Sequence, residues 1–480
     1  PILTAQNIDT AAIERLSRAA LNDFELPGLA IAVVKDDKVV YAKGFGVREF
    51  GGTAPVTADT LFHIASTSKA FTTTAMAMLV DEKKMSWDDP VRKHIPFFRL
   101  SDPCADSLVT LRDIVSHRTG LNRRDELWDY GTWSREEVVR RIGLIELNKP
   151  FRSAYQYQNI MFMAAGEAVD SAAGIPWEQF VDTRIFEPLG MNNSVISEAE
   201  WLRATDRSAS HFYDSTKKTI RPYKANAYES LGPAGSIKST ARDLAQWVRF
   251  QLNGGEIDGK RLLSEAALKE TWKPHTIVPG SPSAEDETPE TNISAYGLGW
   301  RVQDYRGQLL VWHSGSLNFN RAQVALLPRL RAGVVVLTNV NRGYGIAALR
   351  NSVLDLLIND GSRDWNAFFL ALEKKEDAEA EKSKREAEEK RHRDTKPSRE
   401  ISAYAGTYSN DAYGDITVTE SNGALTMSWQ RVTVPLTHYH FDSFSAVSEE
   451  QEFDERVTFD LDRSGDVKVL EIFGEEFRKK

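Results

Sequence analysis

The sequence predicts an α+β chain: an antiparallel sheet flanked by helices, with an all-helical region, then a charged helical linker and a small all-β domain. Three observations predict it. Strand-like apolar runs stand near both ends of the first 365 residues, with helical periodicity between them. Residues 373–396 are nearly all charged or alanine. From residue 401 onward, short alternating runs are joined by Asn422-Gly423 and Ser464-Gly465, the pairs that tight hairpins require. The expected divisions are 1–365, 366–400 and 401–480. A chain of 480 residues has room for two or three domains.

The elements follow in order. Residues 8–23 carry Ile13, Leu16 and Ala20 at helical spacing. Residues 29–34 read as a strand, Asp36-Asp37 as a turn and 39–42 as the returning strand. Residues 70–81 place Phe71, Ala75, Met78 and Leu79 on one stripe, which predicts a core-facing helix. Its N-terminal end would hold Ser66 where the helix dipole favours an alkoxide. Residues 111–115, 136–142 and 160–173 read as helices. The runs 309–312 and 333–338 are strands expected to be neighbours in an antiparallel sheet, joined through 322–327 and completed by the N-terminal hairpin. In the linker, Glu381 with Arg385 and Glu386 with Lys390 are favourable four-residue pairs. No apolar stripe marks that linker as a partner-binding helix. Strands at 416–419, 425–429, 457–461 and 467–472 predict an antiparallel barrel or half barrel.

Composition narrows the function. The net charge is −9 with both signs well mixed, which argues against non-specific nucleic-acid binding. No apolar run approaches the length of a membrane span. A single cysteine, Cys104, excludes an intrachain disulfide and a cysteine-based zinc site. His63, His117 and His211 lack metal-ligand spacing, so structural or surface roles are expected of them, and no cofactor or metal is expected. Gly44-Phe45-Gly46 and Gly297-Leu298-Gly299 lack the third glycine of a nucleotide loop. The chain begins at Pro1 rather than Met, which fits a removed leader or tag. A periplasmic or secreted location is expected, with the cytoplasm left open.

Three separated clusters carry chemistry. Ser66 and Lys69 stand three residues apart where a helix begins, a spacing that puts both side chains on one face. Spacing alone is weak evidence, because Ser215 and Lys218 share it in a polar turn. Tyr157-Gln158-Asn159 precedes the helix from residue 160, and His313-Ser314-Gly315 follows the strand 309–312. A serine hydroxyl needs a base in the transition state. Lys69 can be that base only if its pKa is lowered from about 10.4 towards about 7–8. Tyr157 can share the proton path and pass a proton to the leaving group; which of the two is the base is left open as a coupled pair. Asn159 can serve Lys69 or a substrate carbonyl. Gly315 gives the substrate backbone room, and the N–H groups of Ser66 and Ser316 would form an oxyanion hole.

Together these residues resemble the serine β-lactamase and penicillin-binding protein superfamily. The likeness is strongest to the branch of class C β-lactamases, D-aminopeptidases, D-alanyl-D-alanine carboxypeptidases and related esterases. It extends to Leu111-Arg112-Asp113-Ile114-Val115-Ser116-His117-Arg118-Thr119-Gly120-Leu121, Pro188-Leu189-Gly190-Met191, the stretch from Ala234-Gly235-Ser236 to Leu244, and Tyr296-Gly297-Leu298-Gly299-Trp300. It covers roughly residues 10–358, and the last domain resembles a lipocalin-like accessory domain of that branch. The resemblance implies a β-lactamase-like fold and a serine hydrolase forming an acyl-enzyme on Ser66, with Lys69, Tyr157 and His313 in the catalytic set. Asn159, Gly315 and Ser316 would bind substrate and the oxyanion.

Two departures bear on substrate. Tyr157 stands where penicillin-binding proteins carry the serine of Ser-Asp-Asn, and His313 stands where β-lactamases carry lysine. A histidine is mostly neutral above pH about 6.5, so it should hold a substrate carboxylate less well. Peptide, amide or ester hydrolysis, with D-selectivity as an implication of the resemblance, is therefore expected ahead of β-lactamase or carboxypeptidase activity. A sensor that binds β-lactams or peptidoglycan fragments without turnover is the rival. The partner is a small-molecule or peptide substrate, homo-oligomers stay open, and residues 125–133 and 279–292 are expected to wall the pocket. No Gly-x-Ser-x-Gly elbow surrounds Ser66, which argues against an α/β-hydrolase.

Overall fold

The computed structural model of the chain describes residues 8–224, 226–279, 288–449 and 451–480. It divides into two compact units, and the division does not follow sequence order. The first unit comprises Pro1–Phe98, Asp102–Arg123 and Leu147–Lys375. The second comprises Arg99–Ser101, Arg124–Glu146 and Glu376–Lys480. The expected boundary near residue 365 therefore shifts, and a stretch from the middle of the first span moves to the second unit.

In the first unit, eight strands among the described residues form one antiparallel sheet. Its strands are β1 (Gly28–Lys35), β2 (Lys38–Gly46), β3 (Thr276–Ile277), β4 (Ser294–Tyr296), β5 (Arg301–Tyr305), β6 (Gln308–Leu317), β7 (Asn320–Leu327) and β8 (Ala332–Thr338). Their order is β2-β1-β8-β7-β6-β5-β4-β3. The N-terminal hairpin does complete the sheet, through β1 and its partner β8, with Ala32 opposite Val335. The runs 309–312 and 333–338 are not direct neighbours; β7 stands between β6 and β8 and pairs with both.

One sheet face is covered by α1 (Thr10–Asp23) and the C-terminal helix Gly343–Ile358. Ile13, Ala20, Trp312, Val334, Ile346 and Val353 lie in this core, as do Trp365 and Phe369 from the start of the helix Trp365–Glu389. The expected charged linker thus begins as a core element and becomes exposed along its later turns, where Lys382 pairs with Glu386 at 3.7 Å. The helix after Ser66, α2 (Ser68–Asp81), is buried from Ser68 to Leu79 rather than along one stripe. Its small residues and threonines make this affordable: Thr72 Oγ1 donates to the Pro233 carbonyl at 2.6 Å, satisfying a polar group that would otherwise be costly inside. The helix Asn159–Ala173 is buried nearly as fully, and Gly174 ends it at φ +73°.

In the second unit, eight strands close a barrel in sequence order from Gly406–Asn410 to Glu475–Lys479. The four expected strands are present, and Asn422 and Gly423 both have positive φ, as the tight turn between Gly414–Ser421 and Ala424–Trp429 requires. Four more strands complete the barrel beyond those expected. One of them, Val432–His440, alternates buried and exposed residues from Val432 to Thr437 but contains a proline and a register shift between His438 and His440. Arg124–Glu146 packs on the turns at one end of this barrel. Tyr413 donates to Glu126 at 2.6 Å, Arg124 pairs with Glu475 at 2.7 Å, Tyr130 packs edge-on to Phe453, and Trp133 meets Trp429. Residues 125–133, expected as a pocket wall, thus belong to this unit. Within the other expected wall, residues 280–287 lie outside the described residues.

Candidate active site

The first unit gathers the three clusters. Ser66 lies in a short 3-10 turn, Ala65–Thr67, directly ahead of α2. Ala65 has φ +48°, an uncommon conformation for a residue with a β-carbon, at a cost of about 1–3 kcal/mol. The turn is held by neighbours on both sides. Ile64 N–H donates to the Ile237 carbonyl at 3.1 Å, and Ile237 N–H donates to Ser68 Oγ at 3.2 Å. On the other side, β6 presses against the turn. A β-carbon on Gly315 would stand 2.0 Å from the Ile64 carbonyl oxygen. The space that Gly315 leaves is therefore filled by the protein's own backbone, where the sequence had suggested substrate.

Lys69 is fully buried and Ser66 beside it is half-buried. Lys69 Nζ is 3.0 Å from Ser66 Oγ, 2.7 Å from Asn159 Oδ1 and 2.8 Å from the Ala234 carbonyl. The last two atoms can only accept hydrogen bonds. Lys69 must donate to both in either protonation state, so its third position, the one that can lose a proton or gain one, faces Ser66. Asn159 and Ala234 reach it by close packing. The helix Asn159–Ala173 passes the Gly232–Ala234 turn so closely that a β-carbon on Gly166 would meet Pro233 Cγ at 2.0 Å.

Tyr157 completes this arrangement. Lys69 Nζ lies 4.9 Å from the centre of its ring. Burial raises the Tyr157 pKa well above the usual phenol range, and the Ser66 side chain, within hydrogen-bonding reach, offsets only part of that rise. Tyr157 is therefore a neutral phenol at physiological pH.

His313 is buried, and both ring nitrogens have partners in the protein. Nδ1 is 2.6 Å from the Ser314 carbonyl, which can only accept, so Nδ1 carries the proton. Nε2 is 2.9 Å from Tyr296 Oη and, in the neutral ring, accepts from it. Burial first, then the positive charges of Lys69 and Arg301, push the His313 pKa well below the usual range. The ring centre of His313 is 6.3 Å from that of Tyr157. Ser316, at the exposed end of β6, follows Gly315 and pairs in register with Arg321.

Sequence reasoning singled out Ser66, Lys69, Tyr157, Asn159, His313, Gly315 and Ser316, and the structure draws these residues toward one place. Sequence reasoning gives no role to Tyr296, which lies in the Tyr-Gly-Leu-Gly-Trp stretch. It missed the Ala234 carbonyl, a backbone group with no side-chain signal. His63 and His211 are structural. His211 is held between Phe50 N–H at 2.9 Å and the Asn339 carbonyl at 2.9 Å, and His63 packs on Trp201 at 4.5 Å. Ser215, of the second Ser-x-x-Lys spacing, is an exposed turn residue between two short strands. Among the described residues no cluster of histidine, cysteine and acidic side chains could hold a metal, and no helix is long and apolar enough to cross a membrane.

The Beta-lactamase family profile matches residues 13–357, so the chain belongs to that family, whose members are serine hydrolases of this mixed α/β fold. Residues 390–479 match a domain of unknown function, DUF3471. Among individual relatives, the chain is 30% identical over 423 residues to the unguisins hydrolase ungD' of Aspergillus campestris, covering 84% of this chain and 76% of that protein. It is 24% identical over 342 residues to protein flp of Staphylococcus aureus, covering 71% and 64% of the two chains. Among solved structures, the octameric penicillin-binding protein homologue from Pyrococcus abyssi aligns over 98% of this chain and 99% of its own, with TM-score 0.64 and 20% identity. SurE aligns with TM-score 0.58 and 18% identity over 98% and 99% of the two chains.

Proposed function

We propose that the chain is a serine hydrolase that forms an acyl-enzyme on Ser66, cleaving amides, peptides or esters that carry no carboxylate at the position β-lactamases anchor. The observation that carries the reading is the arrangement around Lys69: two obligatory acceptors hold the amine so that its one exchangeable position faces Ser66 Oγ at 3.0 Å. Lys69 in its neutral form takes the Ser66 proton as Oγ bonds to the carbonyl carbon. The developing oxyanion sits toward the N–H groups of Ser66 and Ser316. As the intermediate collapses, the carbon–nitrogen or carbon–oxygen bond to the leaving group breaks. The departing amine or alcohol takes the Tyr157 phenol proton, which Lys69 replaces. Water then attacks the Ser66 ester, giving up one proton to the same pair. The acid is released and the Ser66 hydroxyl is restored, so one water is consumed per bond cleaved.

The neutral phenol favours Lys69 as the base and Tyr157 as the donor to the leaving group. His313, neutral and bonded on both sides, supplies no positive charge for a substrate carboxylate, which favours amide, peptide or ester substrates over β-lactam and carboxypeptidase substrates. Hydrolase-named relatives over most of the chain support turnover rather than a silent receptor. An octameric relative in fold makes a homo-oligomer a further proposal, and the location proposed remains periplasmic or secreted. The test is hydrolysis by wild type and Ser66→Ala of p-nitrophenyl esters, D- and L-aminoacyl p-nitroanilides, and nitrocefin. Steady turnover of esters or anilides, abolished by Ser66→Ala and exceeding nitrocefin turnover, is expected. Activity untouched by the substitution defeats the hydrolase reading, and a single-turnover burst means a sensor.

A further inference from the structure

We propose that His117 is the positioning residue that aims the Tyr157 hydroxyl at the leaving group. This rests on the hydrolase reading above and extends it to a residue expected to be merely structural. His117 is fully buried and has φ +58°, a conformation that few residues with a side chain adopt. Its Nδ1 accepts the backbone N–H of Gln158 at 3.1 Å, and Gln158 is the residue between Tyr157 and Asn159. Accepting there puts the ring proton on Nε2, which has no hydrogen-bond partner among the described residues. The imidazole also lies against the Tyr157 ring, with centres 4.3 Å apart, and it packs on Tyr296 at 4.5 Å, Phe162 at 5.2 Å and Tyr155 at 5.6 Å.

The surroundings show that this contact is built rather than incidental. The His117 carbonyl accepts Gln156 N–H at 2.8 Å, and the Arg118 carbonyl accepts Arg152 N–H at 2.9 Å, so 117–118 and 152–156 run side by side. Asp113, fully buried, binds Arg118 Nε at 2.6 Å and Arg152 Nη2 at 2.7 Å, locking the two stretches together. Gln158 is fixed again by its own side chain, which donates to the Asn122 carbonyl at 2.6 Å and accepts Ile160 N–H at 3.0 Å. Lys69, by contrast, is held by Asn159 Oδ1 and the Ala234 carbonyl. The geometry thus separates two jobs. Losing the His117 acceptor frees Tyr157 to drift while the Ser66–Lys69 pair stays in place. Drift matters only when the leaving group needs a proton.

The separating experiment uses the full chain and three butyrate esters that share an acyl group and differ in the leaving group: p-nitrophenyl, phenyl and ethyl. In His117→Phe, which keeps a ring but removes the acceptor, kcat/KM for the ethyl ester should fall about 100-fold, within the range of a lost general acid, and for the p-nitrophenyl ester by less than about 3-fold. His117→Asn offers an amide oxygen as acceptor and tolerates positive φ, so it should stay within about 3-fold of wild type on all three. Equal losses on all three esters in both variants, with the far-UV spectrum unchanged, overturn the proposal. If the Phe variant does not fold, the Asn variant decides: wild-type rates across the series are expected, and a uniform loss overturns. A wild type that hydrolyses none of the esters and is not labelled at Ser66 by a fluorophosphonate would instead sink the hydrolase reading itself.

Discussion

At the residue scale, the site depends on which atoms can only accept. Asn159 Oδ1 and the Ala234 carbonyl leave Lys69 one direction in which to trade a proton. Lys69→Met keeps the apolar stem and removes the proposed base, so single-turnover acylation should fall by about 10²–10⁴. Rapid-quench measurement with a p-nitrophenyl ester checks this, and a rate near wild type would mean another base acts. His63 gives a stability test nearby. Both its ring nitrogens lack hydrogen-bond partners among the described residues, and burial, then Lys238, push its pKa down to about 3. The unfolded chain takes up this proton near pH 6.5, the folded chain only near 3. The unfolded state therefore binds more protons between those values, and stability falls as the pH falls through that window. At pH 5 the loss from this group is about 2 kcal/mol relative to pH 7 and above. His63→Phe should flatten the fall, read as denaturant midpoints from pH 7 to 5. An unchanged slope would mean that the ring finds a proton partner in the fold.

At the element scale, the tight contact is β6 against the turn that carries Ser66. Gly315→Ala forces a β-carbon onto the Ile64 carbonyl, a rigid backbone atom. It should cost about 1–3 kcal/mol and lower kcat/KM, whereas Ser316→Ala at an exposed position should leave the denaturant midpoint unchanged. Equal midpoints for the two variants would contradict the packing described. The elements that position the site were readable where a pattern had one cause. The hairpin 29–42 and the strand 333–338 alternate or run apolar because the sheet buries them. The burial of α2 on every side is not readable as a stripe, because Thr72 and Thr73 look polar until their hydroxyls find backbone acceptors. Likewise the motif leads the sequence to place His313 in the catalytic set, while its nitrogens' partners, the Tyr296 hydroxyl and the Ser314 carbonyl, are visible only in the fold.

At the scale of the whole molecule, the sequence order hides how the chain is shared between units. Residues 124–146 sit within the hydrolase stretch yet pack on the barrel turns, a long-range pairing that no local pattern announces. A chain ended after residue 399 would lose the partners of Glu126, Tyr130 and Trp133. The sequence alone suggests a removable appendage. The structure instead predicts that this truncation lowers soluble yield and opens 124–146 to limited proteolysis. Wild-type solubility and protease resistance would show that the segment folds unaided. Above both units stands the claim that one hydroxyl, activated by one amine, does the chemistry. Intact mass followed by peptide mapping after reaction with a fluorophosphonate measures it directly. The account predicts one adduct per chain, located on Ser66 and strongly slowed in Lys69→Met; an adduct on any other side chain would contradict it.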